Sequence, residues 1–366
     1  MKILFVSTLK RKVTKEMTAS RSQIIYKIAS GMAKKGHEVF ILGTEDTYIE
    51  NCQTIPVIEK GWVDLPAVEN PFFLEVSTMI QQIRKIVQIQ NQFDIIHNHL
   101  YPEFLPPIIE NELKKPMITT VHSQWTDFID ETLALFKKTI FVSVSNAHKS
   151  LFKKAKIYKV IYNGIDTKTF SFEEKKEDYL LWIGRLSKAK NKDGTFMDPK
   201  GVRLAIKLAQ KTDSRLIITG NVEDIEFYNR DVKPYLNYKI QWYGPVSKEQ
   251  KLSQKEIAHL MRKAKAFLMT INWYEPFGLV MAEAMSCGTP VIGFDRGAVP
   301  EVVIDDKTGF VVPYEKGIEG LIEALAKINK IKPKDCREHV VKNFSVEKMV
   351  EEYEKLYLEI LGKKQF

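Results

Sequence analysis

The sequence is short of several features that would announce a function by themselves. It holds only three cysteines in 366 residues, Cys52, Cys287 and Cys336, and they lie far apart. They make no CxxC and no even disulfide framework, so a stapled secreted scaffold is excluded and a reducing cytoplasm is the default. No apolar run approaches the ~18 residues that a membrane span requires. The opening Met1-Lys2-Ile3-Leu4-Phe5-Val6-Ser7 is too short for a signal peptide and reads as a buried strand. No two glycines are spaced G-x-G and no GxxxxGK[ST] loop occurs, which disfavours an NAD enzyme and a P-loop ATPase. No two Asp are spaced D-x-D, which argues against a metal–diphosphate transferase of the single-domain type. There is no HExxH and no clustered Cys/His set, so no metal site and no cofactor are expected.

What is present suits two α/β domains. Hydrophobic residues make up 44%, with 20 Phe and 14 Tyr, enough for two sizeable cores. The formal net charge is +9, and the excess is spread over both halves of the chain. A nucleic-acid binder would focus it on one face, so no nucleic-acid partner is expected. The clusters Lys10-Arg11-Lys12 and Lys153-Lys154-Ala155-Lys156 leave two anionic partners open: a phosphate-bearing substrate, or peripheral contact at the inner membrane face.

Short β-branched runs alternate with amphipathic stretches. Ile3–Ser7, Val39–Leu42, Asp94–His97, Pro116–Val121 and Thr139–Val144 read as strands; Ser22–Lys35 and Phe72–Gln90 read as helices. This βαβα rhythm predicts a parallel sheet covered on both faces. Near Asn163-Gly164-Ile165-Asp166 the pattern restarts. Strands at Tyr179–Ile183, Leu216–Thr219, Ile240–Tyr243, Ala266–Met269 and Pro290–Phe294 alternate with helices at Gly201–Lys211, Lys255–Ala264 and Val280–Met285. A last helix begins near Ser345, with an apolar stripe that includes Met349, Tyr353 and Tyr357. Two such domains predict a ligand cleft at the carboxyl ends of the strands.

Thr270–Gly288 reads as strand end, loop and helix. A helix start offers free N–H groups and the positive end of the dipole, which suits a phosphate. Glu275 lies just before the turn and Glu283 about one turn into the helix. Carboxylates accept hydroxyl hydrogen bonds, so one could hold a sugar and the other a ribose; on spacing alone they read equally as surface charges. His122 ends a strand and by itself reads as a satisfied structural histidine. His97 and His99 end another, where they line the cleft or cap a loop. Trp62 and Trp273 fit a sugar platform or a wall, and Cys287 a packing position.

The stretch Glu275-Pro276-Phe277-Gly278-Leu279-Val280-Met281-Ala282-Glu283 resembles the E-x7-E motif of the retaining glycosyltransferases of family 4, the group 1 enzymes that include glycogen synthases and mannosyltransferases. Other segments match the family in order: Lys35-Gly36-His37-Glu38-Val39, Asn163-Gly164-Ile165-Asp166, Gly184-Arg185-Leu186, Lys200-Gly201, Ser286-Cys287-Gly288-Thr289-Pro290-Val291, Gly297-Ala298-Val299-Pro300-Glu301 and Thr308-Gly309-Phe310. Nearly the whole chain is covered.

The resemblance implies the GT-B fold, two Rossmann-like doubly wound domains facing a cleft. It implies an acceptor-binding domain over 1–165, a nucleotide-sugar-binding domain over 166–342, and a C-terminal helix, 343–366, packing back on the first. It implies a metal-independent hexosyltransferase, with UDP favoured over GDP in the donor, and an acceptor that is a saccharide, a lipid-linked molecule or a small molecule. Glu275 would then bind donor sugar hydroxyls. Gly278, Leu279 and Val280 would meet the diphosphate, Glu283 the ribose, and Val246 the base. Arg185 and Lys200 would stabilise the leaving group, and His122 would lie near the sugar. Retention would follow from attack on the departing face, the leaving phosphate taking the acceptor proton. A nucleotide-sugar epimerase on the same fold and a non-catalytic nucleotide-sugar binder are the alternatives.

Two departures stand out. The family's gap between the Arg185 and Lys200 positions is usually much shorter than the Ser187–Pro199 stretch here. The first loop, Lys10–Ser20, lacks the family's paired glycines, so contact there would pass to the Thr18 and Ser20 hydroxyls.

Overall fold

The computed structural model describes residues 1–247 and 250–362. The chain divides into two compact units, one of residues 1–164 with 346–366 and one of 165–345.

The first unit runs β1 (Lys2–Val6), α1 (Ser20–Lys34), β2 (Glu38–Thr44), β3 (Cys52–Ile58), α2 (Pro71–Ile89), β4 (Ile95–Asn98), β5 (Met117–Val121), α3 (Asp127–Ala134), β6 (Ile140–Ser143), α4 (Asn146–Leu151) and β7 (Ile157–Val160). Its sheet has the order β3-β2-β1-β4-β5-β6-β7, and every pairing is parallel. All seven strands therefore end on one edge. The central strands are buried on both faces, as their unbroken apolar runs require: Ile3, Leu4, Phe5 and Val6 have no exposed surface. Helix starts are fixed locally. Asn70, Thr126 and Ser145 accept from backbone N–H groups at the heads of α2, α3 and α4.

The second unit runs β8 (Leu180–Leu186), α5 (Val202–Lys211), β9 (Leu216–Val222), α6 (Ile225–Asp231), β10 (Ile240–Trp242), α7 (Gln254–Lys263), β11 (Ala266–Met269), α8 (Leu279–Ser286), β12 (Val291–Phe294), α9 (Val299–Val302), β13 (Gly309–Val312), α10 (Gly317–Lys327) and α11 (Pro333–Asn343). Its sheet order is β10-β9-β8-β11-β12-β13, again all parallel. The order reverses direction between β8 and β11, the switch point where open α/β sheets hold ligands.

The final helix, α12 (Val346–Ile360), belongs to the first unit and lies against α1. The approach is close: a Cβ on Gly31 would sit 2.4 Å from the Val350 side chain. Lys35 and His37 both reach the Glu354 carboxylate, at 2.7 and 2.8 Å. The stripe Met349, Val350, Tyr353, Leu356 and Tyr357 is buried. Residues 363–366 of the expected C-terminal segment lie outside the described residues. Among the described residues no helix is long and apolar enough to cross a membrane.

Candidate functional site

In the second unit the residues of interest leave the carboxyl edge of the sheet. β8 ends in Gly184-Arg185-Leu186, and the chain then makes the Ser187–Pro199 excursion before α5. The excursion is tied down. Lys190 and Phe196 form an antiparallel bridge, and Asn191 N–H donates to the Thr195 carbonyl at 2.8 Å. Phe196 is buried, stacked on Phe227 at 5.1 Å, with the Lys190 ammonium 4.4 Å and the Arg230 guanidinium 5.0 Å from its ring centre. The lone aromatic of a polar stretch thus anchors it and returns the chain to Asp198-Pro199-Lys200-Gly201.

Asp198 then closes the head of α5. Its carboxylate accepts from the N–H groups of Gly201 (2.8 Å), Val202 (3.1 Å) and Arg203 (3.0 Å). Burial pushes its carboxyl above the ordinary value, and the three amides pull it back. Gly201 sits at φ +74°, and a Cβ there would fall 1.6 Å from the Thr270 carbonyl oxygen. Only glycine lets α5 start against β11 in this way.

Lys200, delivered by that turn, meets Glu275. Its Nζ lies 2.6 Å from Glu275 Oε2, and the two side chains are 21% and 11% exposed. The indole N–H of Trp273 donates to the same oxygen at 3.0 Å, and the Lys200 ammonium stands 4.2 Å from the Trp273 ring centre. A cation, a carboxylate and an aromatic face are thereby locked into one cluster. Main-chain bonds hold its base: Asn272 N–H donates to the Pro199 carbonyl and Ala298 N–H to the Glu275 carbonyl, each at 2.9 Å. The Gly297-Ala298 segment therefore works as the backing of Glu275.

Helix α8 begins beside this cluster, and it begins differently from α5. Its N-cap, Gly278, has φ +81° and no side chain caps the helix. A Cβ on Gly278 would lie 3.3 Å from Glu275 Cγ, so the open helix head and the carboxylate are neighbours. Such a terminus, with free N–H groups and a dipole pointing outward, can take an anion. Leu279 and Val280 are half-buried in its first turn, and Glu283 is buried one turn on, 6% exposed.

The structure thus brings together Lys200, Glu275 and Gly278, with Leu279 and Val280 following. Arg185 follows Gly184, where an added Cβ would lie 3.1 Å from Lys200 Cβ, and its half-exposed guanidinium pairs with Glu223 at 3.3 Å. Val246 follows β10 and is 36% exposed. His122 belongs to the first unit.

There, β4 and β5 end in a buried polar chain. His97 Nε2 lies 2.8 Å from Thr120 Oγ1 and its Nδ1 2.6 Å from the Tyr357 hydroxyl. His99 Nε2 stands 3.3 Å from His97 Nδ1, and His99 Nδ1 2.9 Å from His122 Nε2. Thr120 also meets the Tyr353 hydroxyl at 2.8 Å. Beneath His122 lies Glu103, fully buried. It accepts from the His122 and Ser123 amides (3.0 and 2.7 Å), the Ser123 hydroxyl (2.8 Å) and Arg21 (3.1 Å). Burial alone would raise the Glu103 carboxyl, but the Arg21 guanidinium and the amides hold it down to about 2. Burial, and then mutual proximity, keep His97 and His99 well below the usual imidazole range. Burial and the Arg21 charge push His122 down to about 3, against the pull of Glu103. All three rings are neutral at pH 7. Among the described residues no group of three or more His, Cys, Asp or Glu is arranged to hold a metal ion.

Sequence reasoning missed Asp198, Glu103, Arg21 and the polar use of Tyr353 and Tyr357. The last two had a signal: their hydroxyls sit on an otherwise apolar buried stripe and require partners.

Two family models match this chain. "Glycosyl transferases group 1" covers residues 165–343 and "Glycosyltransferase Family 4" residues 22–169. Spore coat protein SA of Bacillus subtilis is 21% identical, over 98% of this chain and 99% of its own. Sucrose-phosphate synthase from Thermosynechococcus elongatus has a similar structure, with a TM-score of 0.77 at 18% identity over 99% of both chains. So has the Anabaena protein HepE, solved in complex with UDP and glucose: TM-score 0.69, 16% identity, 98% of this chain and 100% of that one.

Proposed function

This chain belongs to the family 4, group 1 glycosyltransferases, and from that premise we propose that it moves a hexose from a nucleoside diphosphate sugar to an acceptor hydroxyl with retention of configuration. The observation that carries the reading is the Lys200–Glu275–Trp273 cluster beside the uncapped head of α8. The helix head and the Lys200 ammonium suit a diphosphate, which departs as charge develops on it. Glu275 suits sugar hydroxyls, Glu283 the ribose and Val246 the base. Arg185 adds a second positive charge to the diphosphate once a donor competes with Glu223 for it. In the first unit, His122 accepts a hydrogen bond from a substrate hydroxyl.

We assign the leaving diphosphate's charge to these cations and to the helix head, with no metal ion. UDP is the favoured nucleotide, as HepE of the same fold was solved with UDP and glucose. The acceptor is a saccharide, a lipid-linked molecule or a small molecule. Three free cysteines suit a reducing cytoplasm.

A thermal-shift panel of UDP-, GDP- and ADP-sugars, each with and without a chelator, tests the donor. A ligand at 100 times its Kd stabilises the folded state by about 2.7 kcal/mol. UDP-hexoses should raise the melting point most, equally with chelator present. No shift with any nucleotide sugar overturns the reading. The anomeric configuration of the product, read by proton NMR, tests retention.

A further inference from the structure

Divided by halves, the positive charge of the chain is even, but within the first unit it gathers in one stretch. Residues 114–156 hold eight lysines, no arginine and three acidic residues, so +5 of the chain's +9 lies there. Buried carboxylates hold the turns that carry these lysines. Asp130, on α3, accepts from the amides of Lys153 (2.8 Å), Lys154 (3.0 Å) and Ala155 (2.8 Å). Glu110 accepts from the amides of Lys137 (2.9 Å), Lys138 (3.0 Å) and Thr139 (2.9 Å). Main-chain N–H groups satisfy both acids, and the ammonium groups are left outside. Lys154 pairs with Glu131 at 2.5 Å, whereas among the described residues Lys114, Lys115, Lys138, Lys153 and Lys156 pair with no carboxylate. Lys114, Lys115 and Lys138 line one cavity. Helix α3 lies against both lysine turns. Its inner side packs Ile129 and Leu133 into the core beside β5, β6 and β7. Phe128 and Leu135 stand two turns apart on the other side, about 10 Å along the axis. They are 80% and 72% exposed. Thr132 lies between them with its hydroxyl turned back onto the Phe128 carbonyl at 2.7 Å, so its one donor is already used.

We propose that the outer face of α3 and the lysine turns beside it dock on an anionic lipid bilayer. Phe128 and Leu135 enter the headgroup layer, and Lys114, Lys115, Lys138, Lys153 and Lys156 meet lipid phosphates. Exposed apolar side chains bordered by unpaired cations are what such a surface takes up, and lysine stems are long enough to reach it. The composition separates this occupant from others. Protein interfaces favour arginine and are depleted in lysine, and this stretch has lysine alone. Duplex nucleic acid would use the lysines and leave Phe128 and Leu135 in water. The first unit has no second face of this kind among its exposed aromatics and basic clusters. Phe72 and Phe73 are exposed, but Glu69 and Glu75 flank them in the chain. In the cluster Lys10-Arg11-Lys12, Arg11 and Lys12 are half-buried and Lys12 reaches Asp46 at 3.9 Å. Docking through α3 goes beyond sugar transfer and needs no residue assigned to the donor.

The test is cosedimentation of the full chain with vesicles, without any nucleotide sugar. Vesicles of phosphatidylcholine and phosphatidylglycerol in equal parts should bind the chain, and vesicles of phosphatidylcholine alone should not. Added salt should release it. Lys138→Gln, Lys153→Gln and Lys156→Gln together should weaken binding by roughly a hundredfold, at about fivefold for each lysine near an anionic surface. Phe128→Ser with Leu135→Ser should weaken it at least about tenfold. Both variants change exposed side chains only, and an unchanged melting point shows that each is folded. Lys10→Gln with Lys12→Gln should bind as wild type does. Equal binding to neutral vesicles, or wild-type binding in either docking variant, overturns the proposal. Loss of binding in the lysine variant alone would mark a site for soluble polyanions instead. A dimer in sedimentation velocity that Phe128→Ser with Leu135→Ser dissolves would put a second copy on this face and likewise overturn it. The shift of melting point with UDP-hexoses is read separately, so docking and donor binding can fail independently.

Discussion

The sharpest test of the second unit is a double-mutant cycle on Lys200 and Glu275. The pair is 2.6 Å apart with side chains 21% and 11% exposed, between the surface and the buried limits. Exposed pairs are worth ~0.2–1 kcal/mol, and breaking a fully buried pair costs ~3–5 kcal/mol. At this exposure a coupling of about 1–2 kcal/mol is expected. Lys200→Met and Glu275→Gln should each destabilise by about that amount, and the double variant by little more than either. For a unit of this size that is a fall in Tm of roughly 2–8 °C. Additive losses with no coupling would mean that the pair is an ordinary surface contact.

The same variants should part company with ligand, and the sign decides the roles. Lys200→Met loses a charge-assisted bond, worth about 1.5–3 kcal/mol, and should bind free UDP at least about tenfold more weakly. Glu275→Gln removes the anion that holds Lys200, so free UDP should bind as well as before or better. Its loss should appear in sugar transfer instead, by a factor of about 100 or more. Calorimetry with UDP and a steady-state transfer assay read the two effects. Wild-type UDP affinity in Lys200→Met, or wild-type turnover in Glu275→Gln, refutes the assignment.

Three further outcomes follow. Glu103 has its folded pKa depressed from 4.5 to about 2, so its contribution is fully present above pH 4.5 and is lost as the pH falls toward 2; acid unfolding followed by circular dichroism should lose about 3 kcal/mol in that window, and Glu103→Gln should flatten the loss. Phe196→Ala should cost about 3 kcal/mol in urea unfolding, and should weaken UDP binding because the excursion no longer delivers Lys200. Glu275→Asp should lose transfer with little net change in stability, since the shorter carboxylate can cap α8 as Asp198 caps α5, a gain of about 1 kcal/mol that offsets the lost contact with Lys200; a fall in Tm as large as that of Glu275→Gln would contradict this.

Much of the fold was legible because central strands carry unbroken apolar runs. Ala266–Met269 lies where the pattern puts it. The missed strands are β3, β7 and β13, each at a sheet edge. β3 contains Gln53, Thr54 and Pro56 and is nowhere fully buried, so its sequence looks like a loop. The Lys10–Ser20 loop departs from the family pattern in having no glycine, and contacts with its neighbours hold it. Val13 N–H donates to Thr47 Oγ1 at 3.0 Å and its carbonyl accepts from Tyr48. Neither partner is near in sequence, so no local pattern reports it.

The site was legible as motifs and illegible as connections, and the two helix heads show why. Asp198-Pro199-Lys200-Gly201 and Glu275-Pro276-Phe277-Gly278 have one pattern: acid, proline, any residue, glycine in the left-handed region. Each precedes a helix at the carboxyl edge of the same sheet. Residue type at the first position separates them. The Asp198 carboxylate is short enough to fold onto the three amides of its own helix, which closes that head. Glu275 is one methylene longer, and its carboxylate goes instead to Lys200 and Trp273, which leaves α8 open. The lysine that draws it away is the third residue of the other copy of the pattern. One turn therefore spends its acid on stability and supplies a cation, while the other keeps its acid and its helix head for a ligand. Neither turn reveals this by itself, because the deciding contact joins positions 75 residues apart.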